Sequence, residues 1–188
     1  MLAIQIKTTG FKEAEKALAN VKNGFPKAAT EAINRGLIAG RQEATKDIRA
    51  RYNIKAGALK GEGFTIKKAS WTAIGGTLEA KGPMLPVKLF SPTVRTKRIV
   101  RRGPRAQFVS VAIIRGSRKL VKGAFMTSSG NVMERRQPER YPIFPVSTIG
   151  VPFMVGYLGI ATKVEERIAE ITEKRLAHNV ARLLGGGK

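Results

Sequence analysis

Apolar residues recur along the chain at two spacings, and the change from one to the other separates helical from extended stretches. Near the start, Leu2, Ile4 and Ile6 alternate with Ala3, Gln5 and Lys7. That period of two gives a strand one buried face. Phe11, Ala14, Leu18 and Val21 then fall at three- and four-residue intervals, which predicts a helix closed by Asn23-Gly24. Pro26 suits the first turn of the next helix, where its missing N–H has no intrahelical partner to lose. This second helix continues to about Tyr52, with Ala29, Ile33, Leu37, Ala44, Ile48 and Tyr52 as its apolar stripe. Small residues at Ala28, Ala32, Gly36, Ala39 and Gly40 allow another backbone to come close.

The second half reads as short extended segments. "GFTIKKA" and "WTAIGGTLEA" predict two strands, with Gly75-Gly76 marking a bulge or kink. "PVKLF" predicts a short strand, and "QFVSVAIIR" a longer one rich in β-branched residues. "AFMTSSGNVMERR" predicts two strands about a Ser-Ser-Gly-Asn turn, and Pro142 and Pro145 hold the next stretch extended. A last helix is expected from Pro152 to about Leu184, with Val164, Ile168, Ile171, Val180, Leu183 and Leu184 inward. Helices gathered at the two ends around a run of strands predict an α+β fold: one mainly antiparallel sheet packed by the two long helices. The length of 188 residues suits one domain spanning 1–188, and the expected core includes Ile33, Leu37, Ile48, Val164, Ile168 and Ile171.

Charge changes this picture in one region. The formal net charge is +22, and between positions 80 and 133 there are twelve Lys and Arg and no Asp or Glu. Within it, "RTKRIVRRGPRAQF" places Arg95, Lys97, Arg98, Arg101, Arg102 and Arg105 in fourteen residues; Arg118 and Lys119 follow. Gly103-Pro104 interrupts any regular element, so 91–123 reads as a basic arm or long hairpin that leaves the sheet, with the regular strand starting at Gln107. Such an excess repels itself and is useful beside a polyanion, where neutralised phosphates release counterions. An acidic protein surface would serve the same purpose.

Candidate chemistry is sparse. The chain has no cysteine and one histidine, His178, which removes thiol chemistry, thiolate metal sites and a His relay. Glu165, Glu166, Glu170 and Glu173 alternate with Lys163, Arg167 and Lys174, the pattern of a solvated helix face with i,i+4 pairs. A metal site there would require those carboxylates to turn inward. Neither a phosphate-binding loop nor a nucleophile elbow is present. The aromatic residues are spread over the strands, where core packing accounts for them better than base stacking; only Phe108 adjoins the basic run. There is no leader-like N-terminal pattern and no apolar run of about eighteen residues. The expectation is an intracellular binding or structural protein with no catalytic site, cofactor, metal or membrane partner.

Two stretches, "AINRGLIAGRQEATKDIRARYNIKAGALK" and "KGAFMTSSGNVMERRQPERYPIFPVSTIGVPFMV", together with "LPVKLF" between them, resemble the minor tail protein Z family of tailed bacteriophages and prophages. The matching blocks lie within 28–155, and the basic 95–105 segment is richer in charge than the family pattern requires. The resemblance implies a tail-completion protein of the virion, assembled in the host cytoplasm and placed at the head-proximal end of the tail. Its implied neighbours are the tail terminator and the head–tail connector. A homo-oligomeric ring, a hexamer by the symmetry of its neighbours, would let genome DNA pass through. The basic residues named above would then meet DNA in the channel or an acidic surface of the next ring. Phe144, Val146, Ile149, Val151 and Phe153 would pack within one subunit or complete a subunit interface. The alternative reading from charge alone is a stand-alone, sequence-nonspecific nucleic-acid-binding protein.

Overall fold

The computed structural model describes residues 2–5, 10–98, 105–157 and 159–185. Strand β1 (Leu2–Gln5) leads into helix α1 (Phe11–Ala17) and the 28-residue helix α2 (Gly24–Arg51). A short helix α3 (Ala56–Glu62) precedes β2 (Phe64–Lys67), β3 (Thr77–Ala80) and β4 (Met84–Pro86). The basic region supplies β5 (Thr93–Arg98), β6 (Arg105–Val111) and β7 (Lys119–Val121). Then come β8 (Ala124–Met126), β9 (Val132–Glu134), β10 (Phe144–Pro145) and β11 (Ser147–Gly150), and helices α4 (Val151–Gly156) and α5 (Ile160–Leu184). No helix among the described residues is long and apolar enough to cross a membrane.

The centre of the structure is the seam between α2 and α5. On α2, Ala28, Ala32, Gly36 and Gly40 follow one another at four-residue steps and are buried. They face Asn179, Leu176, Thr172, Ile168 and Val164 of α5, also buried and spaced by three or four. Residue numbers fall on one helix as they rise on the other: Asn179 Nδ2 donates to the Ala28 carbonyl (3.1 Å), and a side chain at Gly40 would meet Ile168 and Val164. The helices are therefore antiparallel. Close approach is possible because Gly36 and Gly40 present no side chain. The predicted α2 stripe, from Ala29 to Tyr52, is buried at every position. On α5, Ile171 is half-buried and Thr172 occupies the seam instead, because the inward direction advances in steps of four.

The α+β class holds, with several small antiparallel sheets among the described residues where one was expected. In β1-β3-β2, Ile4 pairs with Leu78 and Ile66 with Leu78, so this sheet turns apolar residues toward α2 and α4. Only the last four residues of "WTAIGGTLEA" are strand. Gly76 runs so close to α2 that a Cβ there would lie 2.7 Å from Leu37 Cδ1. "PVKLF" is a 3-10 turn over Val87–Phe90, which places Val87 and Phe90 together in the core. Asn23 adopts the left-handed conformation (φ 55°) directly before α2, so it opens that helix; α1 ends at Ala17. The expected single C-terminal helix is two. The chain leaves α4 at an extended Tyr157 and re-enters through Gly159 at φ 70°, a conformation that favours glycine.

Candidate functional site

The basic region is a β-hairpin. β5 and β6 pair from Thr93↔Ser110 to Arg98↔Arg105, and β7 extends the sheet through Val109↔Val121 and Val111↔Lys119. At its base, Val109 and Val111 are buried, which ties the hairpin to the body. Regular pairing begins at Arg105, two residues before the position expected from sequence, because cross-strand hydrogen bonding continues past the last apolar residue. It also stops at Val111; Ile113 and Ile114 leave the strand toward the end of α2, where the Asn53 amide donates to the Ile113 carbonyl at 2.9 Å.

Lys97 pairs with Ala106, and Arg98 stands directly opposite Arg105. Arg95 is exposed and pairs with Phe108, itself 38% exposed. Arg118 is pinned on the same sheet: its Nη1 donates to Thr93 Oγ1 and to the Ser110 carbonyl (3.1 Å). Arg101, Arg102 and the Gly103-Pro104 break lie outside the described residues. The hairpin thus brings Arg95, Lys97, Arg98, Arg105 and Arg118 onto one three-stranded sheet, whereas Lys119 belongs at its far edge.

Lys119 borders a second feature, an apolar groove of about 320 Å³ walled by Tyr52, Ile114, Ile149, Phe153 and Tyr157. Phe153 and Tyr157 lie one turn apart at the end of α4. Their rings stack 5.8 Å apart and nearly parallel, and they are 57% and 44% exposed. The Arg51 guanidinium sits over the Tyr157 ring at 5.2 Å, the geometry of a cation–π contact. Burial raises the Tyr52 pKa above its ordinary value, opposed by the neighbouring Arg51 charge.

The five residues considered for a subunit interface are divided by the structure. Phe153 protrudes and Ile149 lines the groove. Val146 is half-buried, its amide held by the Val132 carbonyl at 3.0 Å. Phe144 is half-buried beneath the Arg136 guanidinium, 4.7 Å from its ring. Val151 is fully buried inside the chain, because the first turn of α4 points into the core, and it is not available to a neighbour. Sequence reading missed Tyr157, Ile114 and Arg51. The i,i+4 spacing of Phe153 and Tyr157 was the available signal, hidden by the assumption of one continuous helix.

Among the described residues no group of three or more His, Asp or Glu is arranged to hold a metal ion. Glu165, Glu166, Glu170 and Glu173 are all exposed on α5, with Glu170 paired to Arg167 at 2.7 Å. Glu79, the buried carboxylate among the described residues, pairs with Lys67 across β2 and β3. What the surface presents is a cationic sheet and an apolar groove, both suited to binding.

The sequence model of the family described as prophage minor tail protein Z (GPZ) matches residues 8–185. The chain belongs to this family. No curated protein and no solved structure gives a match. Membership in the minor tail protein Z family gives the chain a structural role in a phage tail, with other tail proteins as its neighbours.

Proposed function

We propose that the chain completes the head-proximal end of a phage tail as one subunit of a sixfold homo-oligomeric ring, with its basic hairpin toward the genome DNA that passes through. The observation that carries this reading is the pairing of Arg98 directly opposite Arg105. Like charges at opposed positions of an antiparallel pair are destabilising. Lys97 is adjacent, Arg101 and Arg102 follow Arg98 in sequence, and no acid occurs from 80 to 133. A hairpin of this composition is stabilised by an external polyanion. Duplex DNA supplies closely spaced phosphates, and contacts to phosphate need no fixed base sequence.

The test is DNA affinity as a function of salt, run with wild type and with a variant carrying Arg98→Gln, Arg101→Gln and Arg102→Gln. Affinity for unrelated duplexes should be equal and fall with salt, with a log–log slope of about −0.9 per phosphate neutralised. The variant should keep its thermal stability, lose up to about three such increments of slope, and give tails that assemble but deliver DNA poorly. A variant that fails to join its neighbouring ring, with affinity and slope equal to wild type, would overturn the DNA role and assign the hairpin to protein contact. A wild type that binds DNA tightly yet never enters tails would instead favour a stand-alone nucleic-acid-binding protein.

A further inference from the structure

The described surface carries a second apolar groove, and its charge is opposite to that of the first. It lies between α1 and the C-terminal half of α5, has a volume of about 500 Å³, and is lined by Ala14, Ala17, Leu176, Ala177, Val180, Ala181 and Leu184. Its charged lining residues are Glu13 and Glu173. In the groove beside Phe153 and Tyr157 the charged lining residue is Lys119, with Arg51 over the Tyr157 ring. One surface therefore offers a protruding aromatic ridge with cations. The other offers an apolar trough of alanines with Leu176, Val180 and Leu184, and with Glu13 and Glu173 in its lining. Tyr157 precedes the first turn of α5, while Ala177 lies seventeen residues into it from Ile160. At 1.5 Å per residue the two surfaces are about 25 Å apart along the helix.

We propose that these two surfaces bind one another between copies of the chain: the Phe153–Tyr157 ridge of one copy seats in the apolar α1–α5 trough of the next, with Lys119 facing Glu173. Charge selects this pairing. A chain of net charge +22 with 13 acidic residues repels its copies unless a contact brings acids of one to bases of the other. Either surface placed against its own duplicate would oppose like charges. The contact is therefore heterologous, and head-to-tail repetition closes into a ring when the rotation per subunit permits. Aromatic residues entering a well-packed apolar pocket are the usual strong points of such interfaces. The inference rests on the ring reading above and names its partner surfaces.

The absence of cysteine makes the test direct. Gly156 is next to the ridge, and a side chain added there meets nothing within 4 Å; Ala177 is an exposed position in the trough. Gly156→Cys and Ala177→Cys should each stay uncrosslinked alone, give a crosslinked dimer when mixed under mild oxidant, and give a ladder when both are in one chain. Phe153→Ala should weaken self-association by roughly thirtyfold in sedimentation, the effect of a typical hot spot, with unchanged melting temperature. Lys119→Glu should disrupt assembly, and adding Glu173→Lys should restore it. Crosslinking of Gly156→Cys alone, or a wild-type assembly that none of these variants alters, would overturn the pairing and leave the ring reading standing. A wild type that is monomeric both alone and in tails would overturn both.

Discussion

The α2–α5 seam supports a quantitative prediction at Gly36. A Cβ added there would lie well inside van der Waals contact with Thr172 Oγ1 and 3.0 Å from the Ile168 carbonyl oxygen. Two effects oppose each other in Gly36→Ala. Alanine is favoured over glycine in a helix interior by about 1 kcal/mol. Overpacking a tight core costs about 1–3 kcal/mol. The upper end applies here, because part of the obstacle is backbone and no rotamer change clears it. The net expectation is a loss of about 2 kcal/mol, or roughly 4–8 °C in melting temperature for a chain of this size. Thr172 offers an internal control. Its Oγ1 is buried without a hydrogen-bond partner among the described residues, so Thr172→Ala removes the main obstacle and breaks no bond. The double variant moves a methyl-sized group from one helix to the other. A double-mutant cycle by urea denaturation should show favourable coupling of at least about 1 kcal/mol. Gly36→Ala as stable as wild type, or a cycle without coupling, would refute the close helix contact.

Other consequences follow from the same packing and from the groove. Leu37, fully buried against Gly76, should cost about 2–5 kcal/mol when changed to Ala; a change near zero in denaturant unfolding would place it outside the core. The Asn34 side chain accepts from the Ala69 amide (2.9 Å) and donates to the Ala69 carbonyl (3.2 Å). Asn34→Ala should therefore lose about 1–3 kcal/mol and raise hydrogen exchange at Ala69 selectively; unchanged exchange there would show the bridge is not formed in solution. Tyr52 titrates higher in the folded chain than its ordinary value of 10.0, chiefly through burial. As pH rises past that value the unfolded state loses its phenolic proton first, so this contribution is complete below it and disappears as pH passes the folded value. Stability measured between pH 8 and about 11 should fall less steeply in Tyr52→Phe than in wild type, and parallel curves would refute the assignment.

In the proposed pairing of groove and trough, the placement of acidic residues offsets the strong cationic charge. Nine of its acidic residues (Glu13, Glu15, Glu31, Glu43, Asp47, Glu165, Glu166, Glu170 and Glu173) lie on α1, α2 and α5, and the acid-free window from 80 to 133 includes strands β4 to β8. The hairpin is thus left free of internal counter-charges, while ion pairs lie elsewhere: Arg182 with Glu31 at 2.9 Å between α5 and α2, and Lys67 with Glu79 across β2 and β3.

The sequence by itself determined what depends on neighbours a few residues apart. The α2 stripe was legible because a 28-residue helix repeats one face many times, and each repeat confirms the direction of the core. The Ser-Ser-Gly-Asn turn between β8 and β9 was legible because Gly130 supplies the positive φ that the turn requires. The cationic block needed only counting, and the family resemblance rested on ordered local blocks. Tertiary structure decided what depends on partners distant in sequence. Thr172 displaced Ile171 from the seam because Gly36, 136 positions away, leaves room for it. "PVKLF" became a 3-10 turn because Val87 and Phe90 gain more from one shared pocket than from opposite faces of a strand. The strands divided into small sheets because each is only two to seven residues long and pairs within its own hairpin or with one remote edge. The groove joins residues from the end of α2, the segment after β6, β11 and α4. No local pattern encodes that meeting, since burial and surface shape arise only when the whole chain closes around its core.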